Sequence, residues 1–187
     1  MYKIIVLSAS VRTGRKSDRV AKYFLNYINN NKIGEAELVD LKELNFPLFE
    51  ERLKFLKEPS KQLQDFAAAI KNADGIVLVT PEYNGGYPAS LKNAIDVLYD
   101  EWHRKPVAIA TVSDGIFGGS QVITSLQFSL WKIRAWTVPA MFPVPTVEKT
   151  FDENGNPADK EGTDKRAAAF LAELTWCMDA VVKMKPK

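Results

Sequence analysis

The chain is short of the residues that most catalytic machinery needs. It carries one histidine and one cysteine in 187 residues. A lone Cys177 excludes an intramolecular disulfide framework and any multi-cysteine metal site. It falls on an apolar helical stripe, where a buried structural thiol is expected. His103 would have to serve any metal centre or Ser-His-Asp triad, yet it stands in the polar run Glu101-Trp102-His103-Arg104-Lys105. Nothing around it supports either, so a solvated loop histidine and no metal are expected. Long hydrophobic runs are missing too. None approaches the roughly 18 residues of a membrane span, and Met1-Tyr2-Lys3-Ile4-Ile5-Val6-Leu7 has too short an apolar run for a secretory signal. A cytoplasmic protein without membrane association is expected. Charge of one sign is also lacking: 25 Lys+Arg against 23 Asp+Glu leaves a formal +2. That balance exerts no general pull on nucleic acid or an anionic membrane.

What is present is an ordinary globular composition, 46% hydrophobic and 26% charged, on a length that suits one domain spanning 1–187. Short β-branched runs at 3–7, 76–80 and 107–112 read as buried parallel strands. Glu37-Leu38-Val39-Asp40 is polar enough for a sheet edge, and a short fifth strand is expected around Trp136-Thr137-Val138, limited by Pro139. Between these runs, apolar residues recur at helical spacing: Val20, Phe24, Tyr27 and Ile28; Leu63, Phe66, Ala67 and Ile70; Leu91, Ala94, Ile95 and Leu98; Val122, Leu126, Leu130 and Ile133. A last helix carries Ala167, Phe170, Leu171, Leu174, Met178 and Val181. The alternation predicts an α/β fold, a doubly wound five-stranded parallel sheet with helices on both faces. Five strands fit the order 2-1-3-4-5, whose ligand crevice opens between strands 1 and 3. The polar stretch 148–163 reads as a surface excursion.

Three loops follow strand ends. The first, Ala9-Ser10-Val11-Arg12-Thr13-Gly14-Arg15-Lys16-Ser17, leads into a helix for which Ser17 is a natural N-cap. Arg12, Arg15, Lys16 and Arg19 crowd the positive end of that helix, an unfavourable arrangement by itself. A phosphate dianion reverses the sign by taking N–H groups, hydroxyls and guanidinium together. Taken alone the loop reads equally well as a solvated basic turn; its place in the first βα connection favours phosphate. A P-loop is excluded because Arg15 intervenes between Gly14 and Lys16-Ser17, and no G-x-G-x-x-G occurs in this turn. The second loop, Pro81-Glu82-Tyr83-Asn84-Gly85-Gly86-Tyr87-Pro88, has glycines that permit positive φ and close backbone approach to a planar ligand. The third, Ser113-Asp114-Gly115-Ile116-Phe117-Gly118-Gly119-Ser120, again places small residues before a helix. No loop offers a convincing acid–base pair, which points to a cofactor that brings its own chemistry.

On these motifs the chain resembles the NADPH-dependent FMN reductase family of flavodoxin-like quinone, azo-dye and chromate reductases. The carriers of the resemblance are Ser10-x-Arg12-x-Gly14-Arg15 with Ser17, and Pro81-Glu82-Tyr83-Asn84 running through Pro88-Ala89-Ser90-Leu91-Lys92-Asn93-Ala94-Ile95-Asp96. Ala9 stands where the family often has glycine. The resemblance implies that Ser10, Arg12, Arg15 and Ser17 hold the FMN phosphate. Pro81, Glu82, Tyr83 and Asn84 would border the flavin ring, with Ser113 and Gly115 on its other side. It implies NADPH or NADH as co-substrate, ping-pong hydride transfer through FMN to a quinone, azo, flavin or metal-oxyanion acceptor, and no catalytic side chain. A homodimer or homotetramer follows in the same way, with Trp102, Trp131 and Trp136 as candidates for its interface. The alternative is a flavodoxin-type electron carrier that does not itself oxidise NAD(P)H.

Overall fold

The computed structural model describes residues 1–184. Five strands, β1 (Lys3–Ser8), β2 (Glu35–Asp40), β3 (Gly75–Pro81), β4 (Pro106–Val112) and β5 (Trp136–Val144), pair in parallel in the order 2-1-3-4-5. This is the flavodoxin-like arrangement. Strand residues alternate between two cores because successive side chains point to opposite faces. Ile5, Leu7, Ile76, Leu78, Val107 and Ile109 meet α3 (Lys61–Asn72), α4 (Ala89–Val97) and α5 (Val122–Lys132). Ile4, Val6, Val77, Val79, Ala108 and Ala110 meet α1 (Ser17–Asn30) and α7 (Lys160–Met184). The apolar helical rows expected from spacing supply these contacts. In the second core Phe24 lies edge-on to Phe142 at 4.9 Å and 5.4 Å from Phe170. Truncating a fully buried Phe of this kind costs about 3–5 kcal/mol. Gly75 lets α7 approach β3 closely: a Cβ there would stand 2.7 Å from the Met178 sulfur.

Two expectations are corrected. Pro139 does not end the fifth strand, which continues to Val144. Register slips between Val107↔Thr137 and Ile109↔Met141, and this irregularity on an edge strand absorbs the missing N–H of Pro139. Sequence periodicity names no element between Asp40 and Leu63, yet α2 (Leu41–Leu44) and a 3₁₀ turn (Leu53–Phe55) form there. Asp40 starts α2 by accepting from the Lys42 N–H at 3.0 Å, and Asn45 ends it at φ 43°. The polar stretch before α7 contains α6 (Val147–Thr150). No helix among the described residues is long and apolar enough to cross a membrane. Cys177 is buried, and burial, with Glu173 nearby, pushes its thiol pKa up.

Candidate functional site

Parallel pairing brings the carboxyl ends of β1, β3 and β4 side by side, so the three loops read from the sequence share one edge of the sheet. They enclose a cavity of about 210 Å³ lined by Ser10, Arg12, Arg15, Ser17, Pro81, Glu82, Tyr83 and Ser113. Asn84 and Gly115, the other two expected site residues, do not line it. Asn84 (φ 52°) and Gly85 (φ 79°) are the central residues of a tight turn closed by Tyr83 N–H to Gly86 O (2.8 Å) and its reciprocal (3.0 Å). Both φ values are positive, as a type I′ turn requires. The turn directs Tyr83 across the sheet edge, where its hydroxyl and that of Ser10 lie 2.6 Å apart. Ser90, in the first turn of α4, donates to the Ala9 carbonyl at 2.7 Å, so the first loop is tied both to the second loop and to the helix that follows it. Gly115 accepts from the Ser113 hydroxyl (3.1 Å) and from the Thr146 N–H (3.3 Å), which fixes the third loop to the approach of α6.

The expected cap of α1 is not made. Lys16 occupies the N-cap position with no side-chain hydrogen bond, and the helix begins at Ser17. Ser17 is 3% exposed and its hydroxyl has no partner among the described residues. A buried orphan hydroxyl costs about 1–3 kcal/mol, and this one stands at a helix N-terminus whose first N–H groups also lack a capping side chain.

Nor are the four cations of the loop uncompensated. Arg15 makes a bidentate pair with Asp40 and donates to the Ser10 carbonyl at 2.7 Å. Burial alone would lower the pKa of Arg15, but its pairing with Asp40 outweighs burial and raises it. Lys16 pairs with Glu148 at 2.5 Å and lies 3.8 Å from Asp114, which also lines the cavity. The hydrogen bond to Lys16 holds the Glu148 carboxyl below its usual range. Arg19 donates to the Phe151 carbonyl at 2.9 Å and lies 3.8 Å from Glu153. Arg12 is exposed, and its guanidinium touches only the Tyr83 ring among the described residues, 5.7 Å from the centroid. One cation of the four is thus available to an anion in the cavity. The sequence did not reveal Asp40, Asp114 and Glu148 as partners of these cations because they reach the loop from β2, the β4 loop and α6.

Larger grooves lie at the amino ends of the strands, beside Lys3, Glu35 and Ala73 and beside Pro106 and Trp136. Neither is lined by a serine, threonine or tyrosine hydroxyl, as the carboxyl-end cavity is. Trp102 is fully buried and so is removed as an interface candidate, whereas Trp131 and Trp136 are exposed. His103 is exposed, and no cluster of three or more His, Cys, Asp or Glu suited to a metal occurs among the described residues.

The cavity fits a phosphate-bearing cofactor by its own donors: an orphan buried hydroxyl, an uncapped helix N-terminus and one free guanidinium. Residues 2–149 match the family model described as NADPH-dependent FMN reductase. An NAD(P)H-dependent FMN reductase of Saccharomyces cerevisiae is 39% identical over 138 residues, covering 67% of this chain and 71% of that one. An NADPH azoreductase of a Bacillus species is 35% identical over 140 residues, covering 73% of each. Among solved structures, the flavoenzyme NAD(P)H:(acceptor) oxidoreductase FerB of Paracoccus denitrificans superposes with a TM-score of 0.75 at 21% identity, covering 96% of this chain and 98% of that one. That last likeness is one of fold.

Proposed function

The chain belongs to the NADPH-dependent FMN reductase family, and from that premise we propose an FMN-dependent oxidoreductase that takes hydride from NAD(P)H and delivers electrons to a small-molecule acceptor of the quinone, azo, flavin or metal-oxyanion kind. The observation that carries this reading is the buried Ser17 hydroxyl, without a partner among the described residues, at the uncapped start of α1. Ser10, Arg12 and Ser17 would hold the phosphate of FMN. Arg12 supplies the charge; Ser17 and the first N–H groups of α1 supply directed donors. Pro81, Glu82 and Tyr83 would border the ring on one side, with Ser113 opposite. Asn84 and Gly115 act through the turns they form.

When bound, FMN supplies the redox chemistry, accepting hydride and passing electrons on. The chain's own work is positional. The Tyr83 turn is braced by the Ser10–Tyr83 and Ser90–Ala9 hydrogen bonds, and Tyr87 is tied to Ser129 of α5 at 2.7 Å. These contacts let the loop keep its shape while two substrates use the same face in turn, as a ping-pong scheme requires. No side chain is assigned a proton-transfer role. One domain spanning 1–187, a cytoplasmic location and a homodimer or homotetramer complete the proposal. The assembly is supported by the exposed aromatic pair Phe128 and Trp131 on α5, centroids 5.8 Å apart.

The test is an absorbance spectrum of the purified protein reconstituted with FMN, followed anaerobically after NADPH and then NADH. Rapid bleaching of the flavin bands by either nucleotide is expected. A flavin that stays oxidised until a separate reductase is added would make the protein an electron carrier instead. A protein that refuses FMN would overturn the assignment altogether.

A further inference from the structure

Resting on the reading that a phosphate occupies the cavity, we propose that Asp40 and Arg15 together are a positioning strut of the phosphate loop, not a phosphate ligand and a bystander. Asp40 ends β2 and stands opposite Ser8 in the β1–β2 register, two residues before Ser10. From there its carboxylate takes both terminal nitrogens of Arg15, and the pair is held with side chains only 13% and 15% exposed. The same Nη1 also donates to the Ser10 carbonyl at 2.7 Å. Three of the five guanidinium N–H donors are therefore engaged within the loop and its neighbouring strand. The other oxygen contact of Asp40, from the Lys42 N–H, fixes the carboxylate to the start of α2.

The consequence is a division of labour among like charges. Arg15 lines the cavity, but its charge is matched by Asp40 and its fork is committed to shaping the turn at Ser10. That turn in turn aims the Ser10 hydroxyl at Tyr83 and into the cavity. Arg12, with no carboxylate partner among the described residues, is left to meet the phosphate. A strut differs from a ligand in one measurable respect. Removing either end of a strut costs the same affinity, whereas removing the carboxylate beside a ligand arginine frees that arginine for the anion.

The experiment titrates the apo protein with FMN and, in parallel, with riboflavin, which lacks the phosphate, following quenching of flavin fluorescence. The variants are Arg15→Ala, Asp40→Asn and the double variant; Asp40→Asn is isosteric and keeps an acceptor for the Lys42 N–H. Each single change is expected to weaken FMN binding by about tenfold, to leave riboflavin binding within about twofold, and the double variant is expected to be no weaker than either single one. Arg15→Lys, which keeps the charge but not the fork, should also lose FMN affinity. An Asp40→Asn protein that binds FMN as well as or better than the parent would make Arg15 a direct ligand and overturn the proposal. Equal losses for FMN and riboflavin, or losses that add in the double variant, would overturn it as well. The parent protein tests the underlying reading separately: if it binds riboflavin as tightly as FMN, no phosphate site exists.

Discussion

Replacing Ser17 by alanine should move stability and cofactor affinity in opposite directions. The side chain is 3% exposed and its hydroxyl meets no partner among the described residues. Burying such a group costs about 1–3 kcal/mol, and alanine removes the cost while filling nearly the same space. A gain of about 1 kcal/mol is expected, which for a domain of this length corresponds to a rise of about 2–4 °C in the melting midpoint. FMN binding loses a hydrogen bond to a charged group, worth about 1.5–3 kcal/mol, or roughly ten- to 150-fold in dissociation constant. Riboflavin binding should not change. The assay is scanning calorimetry of apo protein beside fluorescence titration with both flavins. A lower melting midpoint for the apo variant would mean that Ser17 is satisfied after all. Unchanged FMN affinity would take the hydroxyl out of the phosphate site.

Arg12→Ala should weaken FMN but not riboflavin, and the salt dependence of FMN binding should flatten; persistence of that dependence would move the working cation elsewhere. Tyr23 packs among Phe24, Phe142 and Phe151, with its hydroxyl 2.9 Å from Asp164. Burial, then that hydrogen bond, raises its pKa far above the ordinary 10.0, so its contribution to stability is complete below pH 10 and falls as pH rises beyond it. Tyr23→Phe should flatten that alkaline loss in urea melts; an unchanged slope would locate the titrating group elsewhere. The depressed pKa of Glu148 has the opposite sign: its contribution is present above the ordinary 4.5 and fades as pH falls below it. Parent and Glu148→Gln melting curves should therefore converge in acid, and a gap that persists there would dismiss the Lys16 pair. Gly118→Ala would force a Cβ to 2.9 Å from the Pro143 Cβ at φ 61°, whereas Gly14→Ala at φ 67° meets nothing within 4 Å. The left-handed penalty of about 1–2 kcal/mol applies to both, and overpacking adds about 1–3 to the first; equal urea midpoints would dismiss the close approach.

Buried strands were legible because β1, β3 and β4 are apolar on both faces, and the helices because their inward rows keep a 3.6-residue period. The fifth strand was read short because Pro139 is a strand breaker in isolation, and only pairing with β4 reveals the slip that accommodates it. The loops of the site were legible as glycine-bearing turns at strand ends. Their electrostatics were not. Arg12 and Arg15 look alike in one dimension, and they differ because Asp40, 25 residues further on, ends the strand beside β1. Ser17 was recognised for its hydroxyl but given the wrong partner, since α1 begins one residue earlier than a serine cap would need. The segment 41–60 has neither period, so spacing could not reveal the four-residue helix begun by the Asp40 cap or the 3₁₀ turn at Leu53–Phe55.

The placement of β1 between β2 and β3 has a consequence for synthesis on the ribosome. The first strand can pair with the second as soon as both have emerged, but its other edge waits for β3, some 70 residues on from β1. The cavity has no third wall until β4 and Ser113 are released. Even then α1 covers the β1 and β3 side of one face, while Ala108 and Ala110 of β4 lack the cover that α7 brings. A nascent chain stalled before residue 160 should therefore expose that part of the sheet to chaperones although every wall of the cavity has already been made.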